Sequence, residues 1–213
     1  MIVKGFFHVL STEIGRSIAT ATLSRIMSSG LYEVTDSIHI GEISADERYL
    51  TSLPAKATAT QHTDVTLYEG WTLNQMYRDA QTVDEAFYWY IHTKGASHKT
   101  EEAAASWRNA MSACVIDDYA WCISQLSEPE VCSCGPLLAF NPHPFYAGNF
   151  WWTKASYVRQ LASPDELIQE RLGRGLNPDL VRFVHEEWIT QGIPGHSVEQ
   201  ELSRLRAYSR WEH

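Results

Sequence analysis

An α/β protein with a central, mixed but mostly parallel sheet of about six strands flanked by helices is predicted by three features of the sequence. Strand-like and helix-like runs alternate over residues 1–95, Gly and capping residues punctuate the runs, and the C-terminal third carries helix signals alone.

The first run, 2–10, is rich in β-branched and aromatic residues and ends at Ser11-Thr12, a pair able to cap a helix. That helix carries Ile14, Ile18, Ala21 and Ile26 at helical spacing and stops at Gly30. A second strand is expected over 37–43 and a third over 64–68, with the Ala/Thr/Ser-rich stretch 51–63 read as a loop. A helix over 72–82 and a strand over 86–92 follow. Next come one long helix, 101–126, and strands near 131–138 and 145–153. Asn177 caps and Pro178 opens a helix running to 190, and Ser197 with Gln200 forms a capping box on the last helix.

With 213 residues the chain suits one domain, 1–213, with one core and one cleft. Ending soon after a capped helix is also what a domain cut from a longer chain would show. Hydrophobic residues make up 44% and charged residues 20%, ordinary globular values, whereas 8 Trp, 10 Tyr and 7 Phe are many. The balance of 17 basic against 26 acidic residues, net −9, has the wrong sign for gripping nucleic acid over a broad surface. No apolar run approaches the roughly 20 residues of a membrane span, and the N-terminus lacks a signal-peptide layout, so a cytoplasmic protein is expected. Cys114, Cys122, Cys132 and Cys134 lack a second ligand pair at zinc spacing and read as reduced structural thiols.

Ligands of such sheets bind at the carboxyl ends of the strands, here His8 to Thr12 (including Leu10), Gly41 to Ser44, Tyr68-Glu69-Gly70 and His92 to Gly95. At His92-Thr93-Lys94-Gly95, Lys94 supplies charge, Thr93 a donor and Gly95 room for amides to approach a diphosphate. The same tetrapeptide also suits a polar strand end with a solvated lysine. Ser11 and Thr12 offer donors to an anion or are plain caps, and Gly70, Thr72 and Leu73 stand in a similar strand-to-helix turn. His143 to Trp152 is the most unusual segment: its rings could stack on a sugar while His143 and Asn149 bond its hydroxyls, or they form a core strand. On a single helical wheel over 178–190, Glu187 falls on the apolar stripe with Leu180, Phe183, Val184 and Trp188, and Glu186 on the polar face. A carboxylate so placed is either a tunable base or the partner of a buried arginine such as Arg108. Asp118 falls on the stripe of the long helix and is a second candidate; with Glu187 it would also furnish the two carboxylates of a glycoside hydrolase.

Taken together, Tyr90-Ile91-His92-Thr93-Lys94-Gly95, Trp107-Arg108 with Met111, His143 with Ala147-Gly148-Asn149-Phe150-Trp151-Trp152, and Glu186-Glu187-Trp188-Ile189 resemble a family of small GT-A-like sugar transferases found in bacteria and large viruses. The resemblance covers nearly the whole chain, and Gly148 to Trp152 is its most specific part. It implies a GT-A-like fold, a UDP-sugar donor, a glycan or glycoprotein acceptor such as a viral capsid glycan, and Mn²⁺ between the phosphates. By position it implies nucleotide contacts at His8, Leu10, Ser11, Thr12, Gly41, Glu69, Gly70, Thr72, Leu73, His92, Thr93 and Lys94. Sugar or acceptor contacts are implied at Arg108, His143, Gly148, Asn149, Trp151 and Trp152, with Glu187, Lys94 and Asp118 as the catalytic candidates. One departure stands out: where metal-dependent members carry Asp-x-Asp, this chain has His92-Thr93-Lys94, leaving His92 as the one candidate ligand, or Lys94 in place of the metal's charge. A non-catalytic carbohydrate or nucleotide-sugar binding module is the alternative from another class.

Overall fold

The computed structural model of the protein describes residues 1–96, 101–140 and 144–191; His143 and the capping box at Ser197 and Gln200 lie outside them. β1 (Ile2–Leu10) leads into α1 (Glu13–Ser29), capped by Thr12, whose side chain accepts from Gly15 N, and closed by Gly30 in the left-handed conformation. α1 buries Gly15, Ile18, Ala19, Leu23 and Ile26, so the apolar stripe runs through Ala19 and Leu23, and Ile14 and Ala21 face outward. After α2 (Leu31–Val34) come β2 (Ser37–Ile43), β3 (Ala57–His62), α3 (Gly70–Ala80) and β4 (Ala86–His92). α4 (Glu101–Ser112) and α5 (Tyr119–Ser127) are followed by β5 (Ser133–Cys134), β6 (Leu138–Phe140), β7 (Pro144–Tyr146) and β8 (Trp151–Lys154). α6 (Ala155–Val158), α7 (Pro164–Gly173) and α8 (Val181–Glu187) complete the described chain.

The six-stranded sheet has the order β3-β2-β1-β4-β8-β5; β1 pairs in parallel with β2 and β4, β2 in parallel with β3, and β8 antiparallel with β4 and β5. The fold is therefore α/β with a mixed, mostly parallel sheet flanked by helices, the GT-A-like arrangement expected. Alternation along each strand feeds two cores. Phe7, Val9, Ile38, Trp89, Ile91 and Trp152 pack on one face with Ile26 of α1 and Val115, while Phe6, Tyr88, Tyr90 and Trp151 pack on the other with Leu73, Met76, Val158 and Trp188.

Four expectations of secondary structure give way. The third strand is β3, not 64–68, because its Ala and Thr residues need little burial on an edge strand held by a backbone ladder to β2. Asp64 instead accepts from Thr66 N and caps a single 3₁₀ turn. The long helix is interrupted by a π-helical turn at Ala113–Asp117, where Trp152 Nε1 donates to Val115 O at 2.9 Å. The two late strands break into four, one at Gly135-Pro136 and one at a turn where Gly148 and Asn149 both have positive φ, 84° and 56°. The helix predicted over 178–190 is a 3₁₀ turn (Pro178–Leu180), α8 and a second 3₁₀ turn (Trp188–Thr190).

The cysteines form no disulfide, and Cys114, Cys122 and Cys134 are buried. Among the described residues no helix is long and apolar enough to cross a membrane.

Candidate active site at the C-terminal edge of the sheet

Strand order runs outward from β1 to β2 and β3 on one side and to β4 on the other, so the switch point of the sheet lies between the ends of β1 and β4. The two ends are tied there: Thr93 N donates to His8 O at 3.0 Å and Leu10 N to Thr93 Oγ1 at 3.0 Å. Because β8 is antiparallel to β4, the turn at Gly148-Asn149 reaches the same edge, joined by the start of α3 at Glu69-Gly70 and by His185-Glu186 of α8.

Lys94 brings an ammonium to this edge. Its Nζ stands 3.6 Å from Glu186 Oε1, with side chains 29% and 20% exposed. Burial raises the Glu186 carboxyl above its ordinary range against the opposing pull of Lys94, with Glu69 adding to the rise. Arg108 Nη1 donates to Lys94 O at 2.6 Å and so holds the loop's backbone.

Three imidazoles surround the pair, all buried: His8, His92 and His185. His8 Nδ1 and Thr72 Oγ1 are 2.9 Å apart, and burial, then His92 and His185, hold the ring well below its ordinary pKa. Burial and then Lys94 push His92 down to about 3, and burial pushes His185 down to about 4. His92 Nε2 donates to Gly148 O at 2.8 Å, and its Nδ1 lies 3.3 Å from Glu69 Oε1. Glu69 Oε2 accepts from Tyr90 OH at 2.9 Å and from Asn149 Nδ2. Burial raises this carboxyl too, against His185, Asn149, Tyr90 and Lys94. Among the described residues neither ring nitrogen of His185 has a hydrogen-bond partner, and the ring packs so closely on Gly70 that a Cβ there would lie 2.7 Å from Nε2.

The structure moves several predicted residues out of the site. Glu187 pairs with Arg171 at 3.1 Å, not with Arg108, and Glu186 is the carboxylate that meets Lys94. The physical reason is the face that packs: Val184, His185, Trp188 and Ile189 are buried, while Leu180 and Phe183, which set the predicted stripe, are exposed. Asp118 joins the π-helical turn to α5 beside Cys122, in the layer with α1, and no hydrogen bond or ion pair among the described residues links its side chain to the cluster. With Glu187 it does not make two carboxylates facing across a cleft. Leu73, Trp151 and Trp152 are fully buried core residues. Asn149 is fully buried, its Oδ1 accepting from Trp151 Nε1 at 2.6 Å while its Nδ2 is spent on Glu69 and His185 O. Gly148 lies under Met111 and Trp107, and Gly41 under Thr72, so neither opens a surface. Thr12 is a helix cap that also donates to Ala96 O at 3.3 Å.

His92 does not fit a metal: one ring nitrogen is used by Gly148 and the other faces Glu69 inside the core. Among the described residues no three His, Cys, Asp or Glu stand as a metal-holding group.

Sequence reading covered Glu42 within Gly41 to Ser44 and quoted Trp107 and Glu186 in its motifs, but singled out none of them, nor His185, as a site residue. Glu42 is fully buried and accepts from Ser11 Oγ at 2.9 Å and Leu50 N at 2.9 Å, tying the loop after β2 to the end of β1. A carboxylate inside an apolar strand was its signal. His185 adjoins Val184 and precedes Trp188 by one turn, which marks it for burial.

A family model described as "Domain of unknown function (DUF8361)" matches residues 25–193. No curated protein matches the chain. Among solved structures the chain is similar to 4-diphosphocytidyl-2C-methyl-D-erythritol synthase from Anaerococcus prevotii DSM 20548, with 8% identity, a TM-score of 0.36, and 88% of this chain and 84% of that one covered.

Proposed function

We propose that this chain, which belongs to the DUF8361 family, is a hexosyltransferase-type glycosyltransferase that moves a sugar from a UDP-sugar to a glycan or glycoprotein acceptor. The observation that carries the reading is the Lys94–Glu186 pair, 3.6 Å apart beside the β1/β4 switch point. It joins the two elements that sugar transfer from a nucleotide diphosphate requires: a cation for the leaving group and a carboxylate for the acceptor proton.

In the free protein Lys94 and Glu186 neutralise each other. An arriving diphosphate competes for the ammonium, because it offers more negative charge and more acceptor oxygens than one carboxylate. Glu186 is then released, and burial gives it the raised basicity that suits a general base. It takes the proton of the acceptor hydroxyl while that oxygen attacks the anomeric carbon, and Lys94 stabilises the negative charge on the departing diphosphate. Thr93 adds a hydroxyl at the same edge, and Arg108 keeps the loop in place. The residues around His92 do not fit Mn²⁺.

Calorimetric titration with UDP, GDP and CMP, each with and without Mn²⁺, tests the donor assignment. Selective UDP binding is the expected result, followed by transfer from a UDP-sugar in a donor screen. Binding without transfer or hydrolysis in that screen would make the chain a nucleotide-sugar binding module, and binding of no nucleotide would remove the reading.

A further inference from the structure

α3 covers one face of the sheet, and the strand registers show which side chains that face carries. On β1 and β4 they are apolar: Phe6, Tyr88 and Tyr90 pack with Leu73 and Met76 of the helix. Toward β2 and β3 they turn polar. Ser37 and His39 alternate with Ile38 and Ile40, which are buried on the opposite face, and Thr58 stands beside His39 in register. The helix does not seal against these residues. A cavity of about 380 Å³ is left between Lys4 on β1, His39 on β2, Thr58 on β3 and Arg78 on α3, near the small end of the roughly 300–1,000 Å³ range of ligand clefts. Lys4 precedes His8 by four residues of β1, about 13 Å, so the cavity lies toward the opposite end of the strands from Lys94.

The groups around the cavity divide into those already paired and those with bonds to give. Asp79 is answered three times, by Lys4 Nζ at 2.7 and 3.0 Å and by Tyr88 OH at 2.6 Å. The ammonium is thereby held in place with one N–H to spare. Gln75 Nε2 donates to Thr60 Oγ1 at 2.7 Å, and His39 Nε2 lies 3.1 Å from the same oxygen, which fixes both side chains. Among the described residues the Arg78 guanidinium and the hydroxyls of Ser37 and Thr58 make no hydrogen bond or ion pair. Two cations thus face one carboxylate whose charge is already met, and the unspent groups are mostly donors. In a chain of net charge −9, a concave surface with that surplus selects an anion. A guanidinium fork beside an ammonium suits the oxygens of a phosphate, and the hydroxyls and imidazole around it suit the hydroxyls of a sugar.

We propose that this cavity is a second ligand site, separate from the catalytic edge, which takes a phosphorylated monosaccharide with its phosphate on Arg78 and Lys4 and its hydroxyls toward Ser37, His39 and Thr58. The site does not depend on the transferase reading, and UDP enters its test only to tell the two places apart.

The test is calorimetry of the full chain with glucose 6-phosphate, inorganic phosphate and glucose, with and without UDP, joined to amide shifts in a ¹H–¹⁵N spectrum. Glucose 6-phosphate should bind more tightly than inorganic phosphate, and glucose not measurably. The shifts should gather at Gly5, Ile38 and Thr58, not at Thr93 and Lys94, and UDP should not displace the ligand. Arg78→Met should weaken glucose 6-phosphate by about tenfold or more, the worth of its charge-assisted bonds. Thr58→Val should weaken it by a smaller factor, and Arg174→Met, which removes a surface guanidinium at the end of α7, should leave it unchanged. Failure of both phosphates to bind at millimolar concentration overturns the proposal, and so does displacement by UDP with shifts at Lys94. An R78M that melts lower yet binds as wild type also overturns it, since Arg78 would then serve only the negative end of α3. Inorganic phosphate binding as tightly as glucose 6-phosphate would sink the sugar as part of the ligand. If UDP itself does not bind, the donor reading falls alone, and the shift map and R78M decide this site.

Discussion

The end of β4 and the turn before β8 lie side by side at one edge of the sheet, and both concentrate polar residues, yet only one keeps bonding capacity to spare. In the turn, Asn149 spends its amide on Glu69, His185 O and Trp151, and both following indoles are buried, with Trp152 donating to Val115 O. At the end of β4, Lys94 keeps 29% of its side chain exposed and faces one carboxylate at 3.6 Å, leaving donors of its ammonium for a ligand. A polar residue whose bonds are complete is scaffold, and one with unspent donors at a cleft is a candidate for chemistry.

The sharpest way to break this contrast is to change one group on each side. Glu186→Gln should lower the transfer rate by about 10²–10⁴-fold, the worth of a general base, while the melting temperature holds and UDP binds at least as tightly, because Lys94 no longer has a carboxylate to leave. An unchanged rate would remove Glu186 from the mechanism. Asn149→Ala should act through stability instead, costing about 2–4 kcal/mol by urea denaturation, because it leaves buried partners unpaired and keeps a positive φ without its anchors. Loss of activity at full stability would return Asn149 to the ligand.

Smaller effects sharpen the same division. Transfer needs ionised Glu186, so the rate should fall as pH drops through a pKa that burial has raised above the usual carboxylate value. Lys94 opposes that rise, so Lys94→Met should move the falling limb to higher pH; a limb that stays put or moves down would uncouple the pair. Thr12→Ala removes a helix cap and the bond to Ala96 O, and should cost about 1 kcal/mol of stability with UDP affinity retained.

Much of the fold was legible in the chain. The β-branched and aromatic runs of β1, β2 and β4, with a capped helix after the first, required a parallel sheet covered by helices, because apolar strands of this kind need burial on both faces. β3 was not legible, since an edge strand of Ala and Thr is held by backbone pairing that leaves no apolar pattern. The site was legible in part. His92-Thr93-Lys94 stood out because a basic residue follows an apolar strand at a glycine, and that is where the switch point lies. The choice between Glu186 and Glu187 was not legible, because Leu180 and Phe183, which set the predicted apolar stripe, are exposed, and the partners Lys94 and Arg171 come from other elements.

The sequence by itself determined which segments carry the sheet and which loop ends in a cation, since propensity, periodicity and capping act over a few neighbouring residues. Only the tertiary structure decided which polar groups are already satisfied. Glu69, His92, Gly148 and Asn149 lie up to 80 residues apart along the chain, and Glu186 and Glu187, adjacent in sequence, meet Lys94 and Arg171 from different elements. Hydrogen-bond completion and burial are properties of those long-range neighbours, and no local pattern records them.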